Sequence, residues 1–205
     1  LKNFMTSVEN VATLGFQNGV VKYIVESKND AEAFKKIMSS VFLSLLAVSL
    51  VMSFGLYAFA DYWSNAVLGN GSAYAQVFKI LAVLLPWYAT SAFLLVVLNG
   101  LGKYRSVIYT NIIGNILGLL FALGAVYYYR TFGALLSIIV PPTLLFFVVI
   151  YYINKDFRFL STISHRSFDR KVLKNMSSYS LMALVTAILG SWVFIAIRKN
   201  IIAVL

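Results

Sequence analysis

Five stretches of 23 or 24 residues, 37–60, 80–102, 106–129, 131–154 and 175–197, contain no Asp, Glu, Lys or Arg. A helix of that length rises about 1.5 Å per residue and reaches roughly 36 Å, enough to cross a hydrocarbon core about 30 Å thick with some tilt. A chain of 205 residues that is 60% hydrophobic and only 12% charged, against roughly 25% charged in soluble domains, cannot wrap five such runs in a polar shell. The sequence therefore reads as an all-α, polytopic transmembrane bundle whose backbone polar groups pair within each helix.

A sixth segment, 4–25, is interrupted by Glu9 and Lys22 and carries Asn, Gln, Thr and Gly. It reads as a helix that faces protein or water more than lipid. Asn29 or Asp30 can cap the next helix, with Glu32 in its first turn and Lys35 and Lys36 near the membrane surface. Six helices of alternating direction put the connections 22–36, 103–105 and 155–174 at one end, with four, two and six Lys/Arg, or 12 together. The other end receives 61–79, Arg130 and both chain ends, with Lys2, Lys79, Arg130, Arg198 and Lys199, which is 5. Short loops rich in Lys and Arg stay cytoplasmic, so the 12-charge end is expected inside. Topology thus accounts for most of the +10 formal charge. Nucleic-acid binding would also suit a basic chain, but these charges flank spans and build no separate soluble module. Tyr57, Tyr62 and Trp63, Tyr127 to Tyr129, and Tyr151 and Tyr152 fall where aromatic side chains anchor span ends. The absence of cysteine excludes a disulfide framework and thiol chemistry. A start at Leu1 without initiator Met, and a stop one turn after Arg198 and Lys199, lead us to expect a piece of a longer chain.

Polar residues within the spans fall in stripes. Gly15, Asn18, Gly19 and Lys22 lie three or four apart and would share one helix face. A lysine near the bilayer centre costs about 2.5 to 3.5 kcal/mol, which asks for a partner, a cavity or snorkelling. Lys22 has two readings: it reaches the inner surface or pairs with Glu26 one turn on, or it faces a cavity. Asn111, Gly114, Asn115 and Gly118 form a second stripe, suited to close helix packing, with Asn111 or Asn115 also placed to line a path through the bundle. Pro86, Pro141 and Pro142 free backbone carbonyls and bend helices, as suits a protein that changes shape and also some rigid packings. Ser177, Ser178, Ser180, Thr186 and Ser191 precede Arg198 and Lys199, a basic pair at the outer end that fits either an anionic ligand or simple snorkelling.

Enzymatic chemistry has no candidate centre. His165 is the sole histidine, set among Ser and Arg in a long connection, and cannot build a metal site by itself. No Ser, His and Asp and no pair of carboxylates fall at catalytic spacing, and no glycine-rich phosphate loop is present. The chain is therefore expected not to be an enzyme and to need no cofactor. Asn70-Gly71-Ser72 matches a glycosylation acceptor, a triplet common by chance.

The run Gly15-Phe16-Gln17-Asn18-Gly19-Val20-Val21-Lys22-Tyr23-Ile24-Val25-Glu26 resembles the second transmembrane helix of bacterial lipid-linked oligosaccharide flippases, the O-antigen and common-antigen translocases of the multidrug/oligosaccharidyl-lipid/polysaccharide exporter superfamily. Leu98-Asn99-Gly100-Leu101-Gly102-Lys103-Tyr104-Arg105 resembles their inner loop between helices four and five. The segment from Tyr179 to Thr186 and on to Ile197-Arg198-Lys199 resembles helix seven. The resemblance covers nearly the whole chain in order. It implies one lobe of a two-lobed fold: residues 1–154 as helices of the N-terminal lobe without its first helix, 155–174 as a cytoplasmic connector between lobes, and 175–205 as the first helix of the C-terminal lobe. It further implies an undecaprenyl-diphosphate-linked oligosaccharide as cargo, moved from the inner to the outer leaflet of the bacterial inner membrane by alternating access, for cell-surface polysaccharide biosynthesis. Polysaccharide polymerase or ligase partners follow from the same resemblance. A diphosphate in a dry cavity needs fixed cations, so Lys22, Lys103, Arg105 and Arg198 are the candidate cargo-binding residues, with Asn18, Asn99 and Asn115 as neutral donors. Two alternatives stand: a cation-coupled drug antiporter of the same superfamily, for which Glu9 is the one acid within a span, and a structural membrane subunit whose polar stripes serve only helix contacts.

Overall fold

The computed structural model describes residues 2–13, 15, 17–27, 30–68, 74–156, 163, 168–174, 185, 189 and 193. Its elements are α1 (Lys2–Ala12), α2 (Gln17–Ser27), α3 (Ala31–Ala58), α4 (Ala60–Leu68), α5 (Ala75–Gly100) and α6 (Tyr104–Asp156), with no strand among the described residues. The all-α membrane bundle expected from the sequence is what forms. Three of these helices, α3, α5 and α6, are long and apolar enough to cross a bilayer.

α6 runs for 53 residues, about 80 Å if straight, more than twice a bilayer core. It folds back at Arg130, whose φ of 47° and ψ of −119° interrupt the helical backbone. Two arms result, 104–129 and 131–156. Their pairing is antiparallel: Gly133 lies against the Ala125 carbonyl, Gly118 against Pro141, and Gly114 against Leu145, each pair one step farther from Arg130 on both arms. Small residues at these positions let the arms approach closely, since a side chain on Gly133 would enter the Ala125 backbone. The two spans expected at 106–129 and 131–154 are thereby found.

The expected single helix 4–25 is instead two. Thr13 donates its hydroxyl to the Glu9 carbonyl at 2.9 Å, and the Gly15 N–H reaches back to the Asn10 carbonyl at 3.0 Å. Gly15 sits at φ +58°, a left-handed turn that glycine takes without a Cβ penalty and that ends a helix. The stripe drawn from Gly15 to Lys22 is therefore not one continuous helix face. Asp30 caps α3 as expected, its carboxylate accepting from the Glu32 and Ala33 N–H groups at 3.0 Å each.

Contacts fix the direction of each segment. Phe4 meets Phe78 and Trp63 at ring distances of 5.7 and 5.0 Å, and Ile24 abuts Gly100, so α1 and α2 descend alongside α5. Ser53 bonds to Ala82 while Phe42 meets Phe93, so α3 runs opposite to α5. One end of the bundle therefore gathers the connections 27–31 and 101–103 and the end of α6, and it is the Lys-rich end. Residues 170–174 form a short helical turn there, tied to α3 by the Asp169 N–H donating to the buried Ser40 hydroxyl at 2.7 Å. Val172 and Leu173 pack against the main core beside it.

α5 is the centre of that core. Val77, Leu81, Leu85, Leu94, Val97 and Leu98 are all at most 2% exposed. Pro86 interrupts its hydrogen-bond ladder and leaves the Ala82 carbonyl, four residues back, without a helical donor. The Ser53 hydroxyl of α3 fills that vacancy at 2.6 Å. An orphaned carbonyl in a lipid-embedded core would cost several kcal/mol on the order of magnitude known for such groups, so this contact explains how α5 carries proline at its middle.

Candidate functional site

On one flank of α5, Tyr88, Ser91, Leu95 and Asn99 follow one another at three- or four-residue spacing and line a cleft of about 270 Å³. Glu9 of α1 closes it from one side, and Pro142 and Leu145 of the second α6 arm from the other. The break at Gly15 sets where α1 ends and α2 begins, and Phe4 between Trp63 and Phe78 fixes the opposite end of α1, so Glu9 is held level with Tyr88. The Tyr88 phenol and the Glu9 carboxyl face each other in the cleft, close enough to interact. Tyr88 stands halfway along α5, hence at mid-depth in the membrane. From there to Asn99 the cleft spans about 16 Å and ends at the Lys-rich end. An ionisable side chain at such depth is expensive and faces protein or a water-filled path, as Glu9 does.

Ser91 also donates to the Tyr88 carbonyl at 2.8 Å and reaches the Pro142 carbonyl at 3.4 Å, which ties α5 to the second α6 arm at its double proline. Beyond this seam lies a second depression of about 200 Å³, lined by Phe42, Leu46, Trp87, Leu94, Phe146 and others, and apolar except for Thr90. The Thr90 hydroxyl is already bonded to the Pro86 carbonyl at 2.8 Å. α5 thus carries a polar flank and an apolar flank at the same height.

Of the described residues expected to hold an anionic cargo, only Asn99 lines the polar cleft. Lys22 is not at the bilayer centre. It lies two residues before Ile24, which meets Gly100 at the last turn of α5, and its ammonium stands half exposed 3.9 Å from the Glu26 carboxylate. Lys103 and Arg105 are exposed at the α5–α6 connection, at the same end. Asn115 is exposed on the first α6 arm, as is Asn111; the glycines of their stripe, Gly114 and Gly118, face the second arm. Arg198, His165, the triplet 70–72 and the span 175–197 apart from residues 185, 189 and 193 lie outside the described residues, as does the side chain of Asn18. Among the described residues no group of three His, Cys, Asp or Glu is placed to hold a metal ion.

Tyr88 and Ser91 are the site residues that the sequence reading passed over. Their signal was present: within a span of near-uniform hydrophobicity, Tyr88, Ser91 and Asn99 are the polar positions of a single flank.

A family model described as polysaccharide biosynthesis protein matches residues 3–205. No curated protein and no solved structure matches the chain.

Proposed function

The chain belongs to the polysaccharide biosynthesis protein family, and we propose that within it the protein is a flippase for an undecaprenyl-diphosphate-linked oligosaccharide. It carries this cargo from the inner to the outer leaflet of the bacterial inner membrane, for O-antigen, capsule or exopolysaccharide assembly, by alternating access and without making or breaking a covalent bond. The bilayer is its working surface, and a polymerase or ligase would take up the product outside. The reading is carried by the row of hydrogen-bonding groups, Glu9, Tyr88, Ser91 and Asn99, that lines one cleft from the middle of α5 to the Lys-rich end of the bundle. A sugar headgroup that leaves water needs such a row, because each hydroxyl stranded in an apolar medium costs about 2 to 7 kcal/mol. Lys22, Lys103 and Arg105, gathered at the foot of the cleft, supply charge for the diphosphate. Prolines inside the helices on both sides of the cleft, Pro86 and the pair Pro141 and Pro142, weaken the hydrogen-bond ladders of its walls and favour their movement.

Reconstitution tests this. Proteoliposomes holding the full chain should make a labelled lipid-linked oligosaccharide accessible to an outside glycosidase, and Ser91→Leu, which fills the cleft, should slow that exposure at least tenfold. Equal exposure with and without the protein would remove the flippase reading. Lys22→Ala that inserts normally and transports at the full rate would remove Lys22 from the mechanism. A second reading, a cation-coupled drug antiporter, draws on Glu9 in the cleft; cation-driven efflux of a drug, lost in Glu9→Gln, would favour it instead.

A further inference from the structure

The charged side chains around the cleft are sorted by sign. Glu9 is the sole charged residue lining it among the described residues, while Lys22, Lys103 and Arg105 stand at its foot and outside it. The remaining described lining is a phenol, a hydroxyl, an amide and the apolar side chains of Ala92, Leu95, Val96, Pro142 and Leu145. A pyranose ring presents hydroxyls around its edge and C–H groups on its faces, and this lining offers partners for both. At about 270 Å³ the cleft lies just under the range of about 300 to 1,000 Å³ typical of drug-sized ligands, which suits one or two rings and not a long glycan. A carboxylate on such a ring would be brought beside Glu9 with no cation among the described lining residues to offset it, and like charges in a poorly solvated site repel strongly.

We infer that the cleft is a sugar subsite selective for an uncharged hexose unit, one that rejects a uronic acid at the same position while the diphosphate is held apart at the Lys-rich foot. The inference rests on the flippase reading and adds a substrate class to it. Glu9 acts here as a specificity residue: it accepts a sugar hydroxyl and excludes an acid. Tyr88 positions it and contributes a ring face on which a sugar can lie.

The test uses the full chain in nanodiscs, titrated with a neutral disaccharide and with its counterpart whose terminal C6 is oxidised to the carboxylate. The neutral sugar should bind at least tenfold tighter. Glu9→Gln, which keeps the shape and removes the charge, should narrow the gap to within threefold; Tyr88→Phe should keep the gap while weakening both sugars. Equal binding of the two, tighter binding of the uronate, a gap unchanged in Glu9→Gln, or no binding of either sugar would each overturn the inference. Flipping of lipid-linked oligosaccharide is measured on the same purified protein in proteoliposomes. Flipping without sugar discrimination defeats the selectivity alone, and discrimination without flipping defeats the transport reading alone.

Discussion

α5 and α6 look alike in the sequence and live in different surroundings. Both are built from long runs without charge, yet 56% of the most apolar window of α5 is buried inside the protein, against 22% for α6. In water such a difference would be written in hydrophobicity, because exposed positions would be polar. In lipid it is not, since the outward face of α6, with Ile112, Leu119, Leu120 and Leu123 exposed, is as apolar as the inward face of α5. What separates the two helices is how each handles its polar and small residues. α5 turns them inward, toward Glu9 and Pro142, whereas α6 uses glycines to fold its own arms together and leaves Asn111 and Asn115 outside.

The sharpest test of this contrast is Gly133→Leu. Its side chain would run into the Ala125 carbonyl, a backbone atom that cannot swing aside, so the α6 hairpin would have to open. Overpacking of this kind costs about 1 to 3 kcal/mol where neighbours can shift and more where they cannot. We expect little monodisperse protein by size exclusion in detergent. A normally folded Gly133→Leu protein would mean that the arms are not held in this register.

α5 has its own critical contact, and it can be separated from general damage. Ser53→Ala strips the Ala82 carbonyl of its donor and should destabilise by about 1 to 3 kcal/mol in a reversible unfolding assay in mild detergent. Pro86→Ala restores a backbone N–H to the helix ladder, so in that background the same Ser53→Ala should cost well under half as much. Additive effects would show that Ser53 does not serve the proline.

Gly114→Ala and Gly124→Ala form a matched pair on one arm. A Cβ at Gly114 meets the Leu145 side chain, which can give way in part, and the expected loss is about 1 kcal/mol. At Gly124 a Cβ meets nothing within 4 Å, and replacing glycine inside a helix should stabilise by about 0.5 to 1 kcal/mol. Opposite signs at the two positions place the arm contact at Gly114; equal effects would contradict it.

How much of this the residues disclosed depended on whether the signal was local. Charge-free runs disclosed α3, α5 and the two arms of α6, Asp30 was legible as a cap because capping involves only its neighbours, and alternation put the Lys-rich connections at one end. Pairings between distant residues were not legible. Ser53 reads as an ordinary small residue until Pro86 is known to sit across from it. Lys22 drew attention because a cation deep in a span is costly, and of its readings the ion pair with Glu26 near the bundle's end is the one that forms. Glu9 and Tyr88 lie on separate helices and meet only through packing. Among the site candidates, Asn99 was found because the loop after it was recognisable, while Tyr88 and Ser91 required the polar flank of α5 to be read as a row.

The smallest expected effect concerns the outward face of α6. Leu120 is 61% exposed on a helix apolar enough to cross a bilayer, and we expect lipid to cover it. Truncating a core leucine leaves a cavity and typically costs about 2 to 5 kcal/mol, but truncating a lipid-facing one leaves no cavity, because acyl chains close over the shorter side chain. Leu120→Ala should therefore change stability by no more than about 0.5 kcal/mol, while Leu94→Ala, fully buried on α5, should fall in the core range. A large loss at Leu120 would mean that protein covers this face. Asn111 and Asn115 would then stop being an exposed pair and become hydrogen-bonding groups of a helix contact, so this small number decides whether the α5–α6 contrast belongs to the fold itself.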